Sequence, residues 1–210
     1  MKKPLWTPSQ KRVRQTNVTR FIRVINKKHG LEISSYDELY KWSIENIPDF
    51  WAAMWEFGEI RASRSYDVVV DDLNKFPGAK WFVGARLNFA ENLLKYRDDN
   101  LAFIFKGETQ KSARMTYAEL YPSVARLAKP LQAIGVASGD RVAAYMPNLM
   151  ETAIAMLATT SIGAIWSSCG TELGPGAVLD RLGQIEPKVL FTVDAYPYKG
   201  LSLIHISEPT

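Results

Sequence analysis

Between Asp99 and about Tyr198 the apolar residues alternate between two patterns: short dense runs rich in β-branched residues, and longer stretches where they recur every three to four positions. The first pattern reads as strand and the second as a helix presenting one face to a core. Leu101–Lys106 and Lys111–Met115 predict two strands joined through Gly107 as a hairpin. Thr116 followed by Glu119 is a capping box, and Leu120, Val124, Leu127, Leu131 and Ile134 keep helical spacing until Gly135. Pro122 and Pro130 interrupt that run, and each costs ~3 kcal/mol in a straight helix interior, so a kink or break is expected. Asp140–Tyr145 predicts the next strand. Asn148 with Glu151 predicts a cap for a helix with Met150, Ile154, Leu157, Ala158 and Ile162 on one face. Ala164–Ser167 follows as a buried strand, Gly176–Ile185 as a helix and Lys188–Val193 as a last strand.

Strands separated by helices of this length call for right-handed crossovers and a mostly parallel sheet with helices on both faces, an α/β class. Ligands of such sheets bind beyond the carboxyl ends of the strands. Met146–Asn148, Ser168–Gly176 and Asp194–Gly200 are therefore the candidate site loops.

Residues 1 to about 95 differ: they are aromatic, helical in pattern and hold five of the six Trp. Ser35 with Glu38 forms another capping box, after which Leu39, Trp42 and Ile47 share a face. Pro48 opens the next helix, with Phe50, Trp51, Met54, Trp55 and Phe57 expected to be buried and Gly58 to end it. That spacing favours aromatic packing of a helical layer over a ligand or base-stacking surface. The expected division is thus a helical region over 1–95, a partial α/β domain over 96–200, and a tail over 201–210 that belongs to neither.

Composition narrows the class. With 210 residues, 47% apolar and 23% charged, the chain has enough material for a sizeable core, which excludes a disordered or collagen-like chain. One Cys, Cys169, forms no internal bridge and suits a reducing cytoplasm. No apolar run reaches ~18 residues, so no membrane span is expected. The net charge of +4 conceals an asymmetry: residues 1–30 hold nine Lys/Arg and no Asp/Glu, leaving 17 basic against 22 acidic residues elsewhere. Because Val13, Val18, Phe21, Ile22, Val24 and Ile25 interrupt the basic arm, a solvated helix face is expected, with neither nucleic acid nor membrane as partner.

Chemical signals are sparse. Gly170, Gly174 and Gly176 have the spacing of neither a P-loop nor a dinucleotide fingerprint. They do end at a predicted helix start, where free amides favour an anion, although a tight turn explains the same glycines. His29 and His205 are the only histidines, too few for a triad or zinc site, and Cys169 has no base to ionise it. No catalytic residue and no metal ligand is assigned.

The strings YDELYKWSIENIPDFW (Tyr36–Trp51), WFVGARLNFAENLL (Trp81–Leu94), MTYAELYPSVARLAKPLQAIGVASGDRVAAYMPN (Met115–Asn148) and AMLATTSIGAIWSS (Ala155–Ser168) resemble the opening portion of the acetoacetyl-CoA synthetases, within the acyl-adenylating, AMP-forming superfamily. The resemblance runs from about Trp6 to Gly200. Gly139–Ala143, Met146–Asn148 and Ile162–Ile165 match superfamily-wide elements, whereas the long aromatic region and Trp166, where acetate-specific relatives usually carry His, point to acetoacetate. The resemblance implies conversion of acetoacetate, ATP and CoA to acetoacetyl-CoA, AMP and pyrophosphate, with Mg2+, in a cytoplasmic enzyme. The family's phosphate loop and adenylation lysine would lie beyond Gly200, so this chain is expected to be a non-catalytic N-terminal fragment that holds no cofactor tightly. The resemblance also places Tyr198, Lys199 and Gly200 in a segment that contacts the nucleotide end of CoA, with Tyr198 standing where relatives carry Arg; a solvated loop lysine is the competing reading. Residues 201–210, LSLIHISEPT, resemble translated adapter read-through and are expected to be non-native. A fragment of an acetyl- or other short-chain acyl-CoA synthetase and a free-standing interaction module are the alternatives.

Overall fold

A computed structural model describes residues 5–108, 112–198 and 201–204, with backbone alone for 198 and 201–204. Two compact units result, Met1–Leu87 and Asn88–Thr210.

The first unit contains α1 (Gln10–Arg14), α2 (Asn17–His29), α3 (Tyr36–Glu45) and α4 (Ile47–Phe57), followed by an antiparallel pair, β1 (Val68–Val70) and β2 (Trp81–Val83). The Thr16 hydroxyl accepts the Thr19 amide at 3.2 Å to start α2, and Gly30, at φ +66°, ends it in the left-handed conformation that a side chain would strain. The Ser35–Glu38 capping box starts α3 as predicted. Phe21, Ile25, Leu39 and Ala53 form the buried centre, ringed by Ile22, Ile33, Trp42, Phe50, Met54 and Phe57. Edge-on ring contacts at 5.2 to 6.3 Å join Phe21, Phe57, Phe50 and Trp42, so the aromatic spacing encodes packing.

Two features depart from expectation. Trp51 is 41% exposed, because Phe50, Ala53 and Phe57 are the residues α4 turns to the core, and Trp51 lies one step round the helix against Trp81 at 6.0 Å. The β1–β2 pair was not predicted, since strands of three residues carry too little alternation to register.

In the second unit, α5 (Phe89–Leu93) precedes the antiparallel hairpin β3 (Leu101–Phe105) and β4 (Ala113–Thr116), then α6 (Tyr117–Ala133), β5 (Arg141–Tyr145), α7 (Met150–Ser161), β6 (Ile165–Cys169), α8 (Pro175–Gly183) and β7 (Val189–Thr192). The strands β6-β5-β7 form a parallel three-stranded sheet with β5 in the middle, as the strand and helix alternation predicts. The central strand's Val142, Ala143 and Ala144 are fully buried. Around them pack Leu120, Val124 and Leu131 from α6, Leu157 and Ala158 from α7, and Ala164.

α6 continues as one helix through Pro122 and Pro130, so of the expected kink or break the break does not occur. Both prolines and the residues four before them, Ala118 and Arg126, are exposed, so water can satisfy the carbonyls each proline leaves free while the buried face holds the helix together. Asn148 does not cap α7: Leu149 occupies that position without a side-chain hydrogen bond, and the Thr152 hydroxyl donates back to the Pro147 carbonyl at 2.8 Å.

After β7 the chain forms β8 (Ala195–Tyr198) and β9 (Leu201–Ile204), an antiparallel pair separate from the parallel sheet. The first half of the tail thus pairs with β8 and not with β7. No helix among the described residues is long and apolar enough to cross a membrane.

Candidate functional site

β5 and β6 end side by side, with Tyr145 opposite Cys169 in the parallel register. Past those ends lies a cavity of about 530 Å³, walled by Met146–Asn148 after β5, Gly170–Glu172 after β6, Tyr196 and Pro197 on β8, and Glu108 of the β3–β4 connection. A smaller adjoining cavity of about 210 Å³ adds Lys106, Gly107 and Leu149. All three predicted loops contribute, which is where a parallel sheet places its ligands.

Two tyrosines hold the β6–α8 loop. The Tyr145 hydroxyl donates to the Leu173 carbonyl at 2.6 Å and lies 3.3 Å from the Thr171 carbonyl, while the Tyr196 hydroxyl donates to Thr171 at 3.1 Å. A loop with no secondary structure of its own is thereby fixed from the central strand and from β8. Burial, and then the proximity of Tyr196, Cys169 and Glu172, push the Tyr145 phenol above its ordinary pKa, so it stays a hydrogen-bond donor across the neutral range.

The loop leads into α8, which Gly174 precedes with no side-chain cap and whose first turn contains no acidic residue. Pro175, its first residue, has no amide hydrogen, so the helix start offers the Gly176 and Ala177 amides and fits the turn reading of Gly170–Gly176 as well as the anion reading. The cavity walls themselves carry Glu108, Glu172 and the neutral Asn148 and Thr171, with Lys106 in the adjoining space. Among the described residues no group of three or more His, Cys, Asp or Glu could hold a metal ion.

Of the residues assigned to the nucleotide end of CoA, the Tyr198 backbone closes β8, and its side chain, Lys199 and Gly200 lie outside the described residues. Trp166 belongs to the core: it packs on Phe191 at 6.2 Å, three positions before the end of β6. His29 stacks on Trp42 at 5.3 Å in the first unit. Tyr196 lies in the predicted Asp194–Gly200 loop, whereas Tyr145 and Glu108 were missed by sequence reasoning; for Tyr145 the available signal was a tyrosine as the last residue of a strand feeding a site loop.

The Gly139–Ala143 element works at the opposite, amino end of the sheet. The Asp140 carboxylate accepts the Ala137 amide at 2.8 Å and the Lys188 ammonium at 2.7 Å, and these bonds, that of Lys188 first, hold its pKa below the ordinary carboxylate value. Arg141 donates to the Ile185 and Glu186 carbonyls at 2.8 and 3.2 Å. Asp140 and Arg141 thus tie the start of β5 to the α8–β7 connection. The Asn88 side chain caps α5 and also donates to the Thr160 carbonyl at the end of α7 at 2.8 Å, which gives the NFAEN string a structural purpose.

A parallel sheet with a cavity at its carboxyl ends, walled by the loops that follow its strands, is the ligand-site geometry of an open α/β unit. The chain belongs to the AMP-binding enzyme family: residues 89–208 match that family, and residues 36–93 match the acetyl-coenzyme A synthetase N-terminus. Within the family it is homologous to acetoacetyl-CoA synthetases. The acetoacetyl-CoA synthetase of Danio rerio is 41% identical over 98% of this chain and 31% of its own length, and the acetoacetyl-coenzyme A synthetase of Rhizobium meliloti (strain 1021) is 42% identical over 94% and 30%. The solved acetoacetyl-CoA synthetase from Streptomyces lividans superposes with a TM-score of 0.89 at 42% identity, over 97% of this chain and 32% of that one. The chain spans about a third of the length of these relatives.

Proposed function

We propose that the chain is the N-terminal part of an AMP-forming acetoacetate-CoA ligase, joining acetoacetate, ATP and CoA into acetoacetyl-CoA, AMP and pyrophosphate, and that alone it does not turn over. The observation that carries this reading is identity of about 40% to acetoacetyl-CoA synthetases along 94% or more of the chain, in both units. The residues present do not fit ATP and Mg2+: the sequence has no glycine-rich phosphate loop, and the described residues offer no metal cluster. Among the described residues Lys106 is the one cation lining either cavity, against Glu108 and Glu172, so the walls offer a polyanion a single charged contact.

What these residues supply is position. Tyr145 and Tyr196 fix the Gly170–Gly174 loop, and with it the first turn of α8, at a set distance from β5. A partly built site of this kind orients one end of a ligand and leaves the acyl-transfer chemistry to groups elsewhere in the whole enzyme. We place Tyr198, Lys199 and Gly200 at the CoA end of that site, with 1–95 as the helical region, 96–200 as the partial synthetase domain and 201–210 as a non-native tail. Incubating the purified chain with acetoacetate, ATP, Mg2+ and CoA is expected to release no AMP, and turnover above a blank refutes the fragment reading.

A second reading, a short-chain acyl-CoA synthetase of different acid preference, is favoured by the match of residues 36–93 to the acetyl-coenzyme A synthetase N-terminus. Assaying the full-length gene product from the same source separates the two. Acetoacetate is expected to outcompete acetate, and the reverse order would replace the first reading with the second.

A further inference from the structure

The basic residues of the first 30 positions are dispersed in sequence, but the fold gathers them. Successive helical residues advance by about 100°, so Arg20, Arg23 and Lys27 fall within an arc of about 60° on α2. That arc lies on the side away from Phe21 and Ile25, the buried face, with Arg20 nearest the core and its guanidinium over the Phe57 ring at 5.5 Å. All three are exposed, as are Lys11, Arg12 and Arg14 on α1, a helix with no buried residue. Among the described residues, Lys28, bonded to Glu56 at 2.7 Å, is the one cation of α1 and α2 in an ion pair with a carboxylate.

Apolar groups stand beside these cations. Leu5 is fully exposed and Trp6 is 67% exposed, with the Arg12 guanidinium over the indole at 5.6 Å; Val13 on α1 and Val24, about 40° round α2 from Arg20, are also exposed. We propose that this α1–α2 face is a docking surface for an anionic phospholipid bilayer. Cations meet the headgroup phosphates while Trp6, Leu5 and the valines enter the boundary between headgroup and acyl chain. Exposed valine, leucine and tryptophan gain from that boundary and gain nothing from a phosphodiester backbone, which sets lipid above nucleic acid. Residues 31–210 hold 17 basic against 22 acidic residues, so the excess of positive charge resides in the first 30 positions.

The test is co-sedimentation of the full chain with phosphatidylcholine vesicles and with vesicles that also contain phosphatidylglycerol. Binding is expected only to the latter, weakening with salt, with a blue shift of tryptophan emission that W6S removes. The triple variant R14Q/R23Q/K27Q is expected to lower the partition coefficient by about 100-fold, at about fivefold per cation. The triple variant R126Q/K129Q/R181Q, with the same charge change on exposed residues of the second unit, is expected to leave it nearly unchanged. All six positions are solvent-exposed, and matching circular-dichroism melts establish that both variants fold. Equal losses in the two variants, a blue shift that survives W6S, or displacement of the vesicles by a DNA duplex bound more tightly through the same cations would each overturn the proposal.

Discussion

Replacing Tyr145 by Phe keeps the ring in the sheet and deletes the hydroxyl that reaches across to the β6–α8 loop. The loss is a donor to the Leu173 carbonyl at 2.6 Å, with a longer approach to Thr171 at 3.3 Å. A neutral hydrogen bond contributes a net ~0.5–1.5 kcal/mol, and an acceptor left dry costs more. Leu173 is only half-buried and Thr171 keeps Tyr196, so water can replace the lost donor, and about 1 kcal/mol is the expected destabilisation of the second unit. With a urea m-value of about 2 kcal/mol/M, the midpoint should fall by about 0.5 M. Hydrogen exchange followed by mass spectrometry on peptides covering 166–176 separates this local effect from the first unit, and faster exchange is expected at the start of α8. The same variant carries a pH signature. Burial raises the Tyr145 pKa, so its contribution is fully present below the ordinary tyrosine value near ~10 and is lost as pH rises through the folded value. The wild type should therefore lose more stability than Tyr145→Phe as the pH rises above about 10. An unchanged midpoint together with unchanged exchange over 166–176 would refute the claim that Tyr145 holds the loop.

Leu157→Ala removes a fully buried side chain from α7 beneath the sheet and should cost ~2–5 kcal/mol in chemical denaturation of the second unit. Asp140→Asn tests the anchor at the amino end of the sheet: the Lys188 and Ala137 bonds depress the Asp140 pKa, so its contribution is present above the unfolded value near ~3.9 and is lost as pH falls through the folded one. The variant should flatten the decline in stability below about pH 4, as read from melting temperature against pH. Deleting residues 201–210 removes one strand of a two-stranded hairpin, a structure that is marginal alone, and should change stability by less than ~1 kcal/mol; a loss of several kcal/mol would make the tail an integral element.

The parallel sheet was legible because its signals are local: dense apolar runs for β5 and β7, capping boxes at Ser35 and Thr116, and helical spacing from Leu120 to Leu131. Where several weak signals had to be weighed together, sequence reasoning failed. A proline penalty outweighed the helical pattern of α6 on paper, but the exposed side of that helix can be hydrated at each proline, and three buried apolar residues hold the other side. Asn148 has the right chemistry for a cap, yet the chain turns one residue later and leaves Leu149 in that position. The candidate loops followed from topology alone. The joint role of Tyr145 and Tyr196 did not, because 50 positions of sequence lie between two hydroxyls that meet one loop.

The strings that carry the resemblance hold the fold more than the site, to which they bring Tyr145 and Met146–Asn148. Gly139–Ala143 anchors the amino end of the sheet through Asp140 and Arg141, and Asn88 in NFAEN ties α5 to the end of α7. Trp166, the residue that distinguishes this chain from acetate-specific relatives by resemblance, packs against Phe191 within the core. Each is a place where one side chain satisfies two or more backbone groups or fills a fixed volume, so few substitutes serve. The walls Glu108 and Gly170–Glu172 lie outside those strings and face a cavity of about 530 Å³. A sequence of this kind announces its architecture in strings and leaves its chemistry to geometry, and for that reason the same strings can belong to a chain that supplies only part of a site.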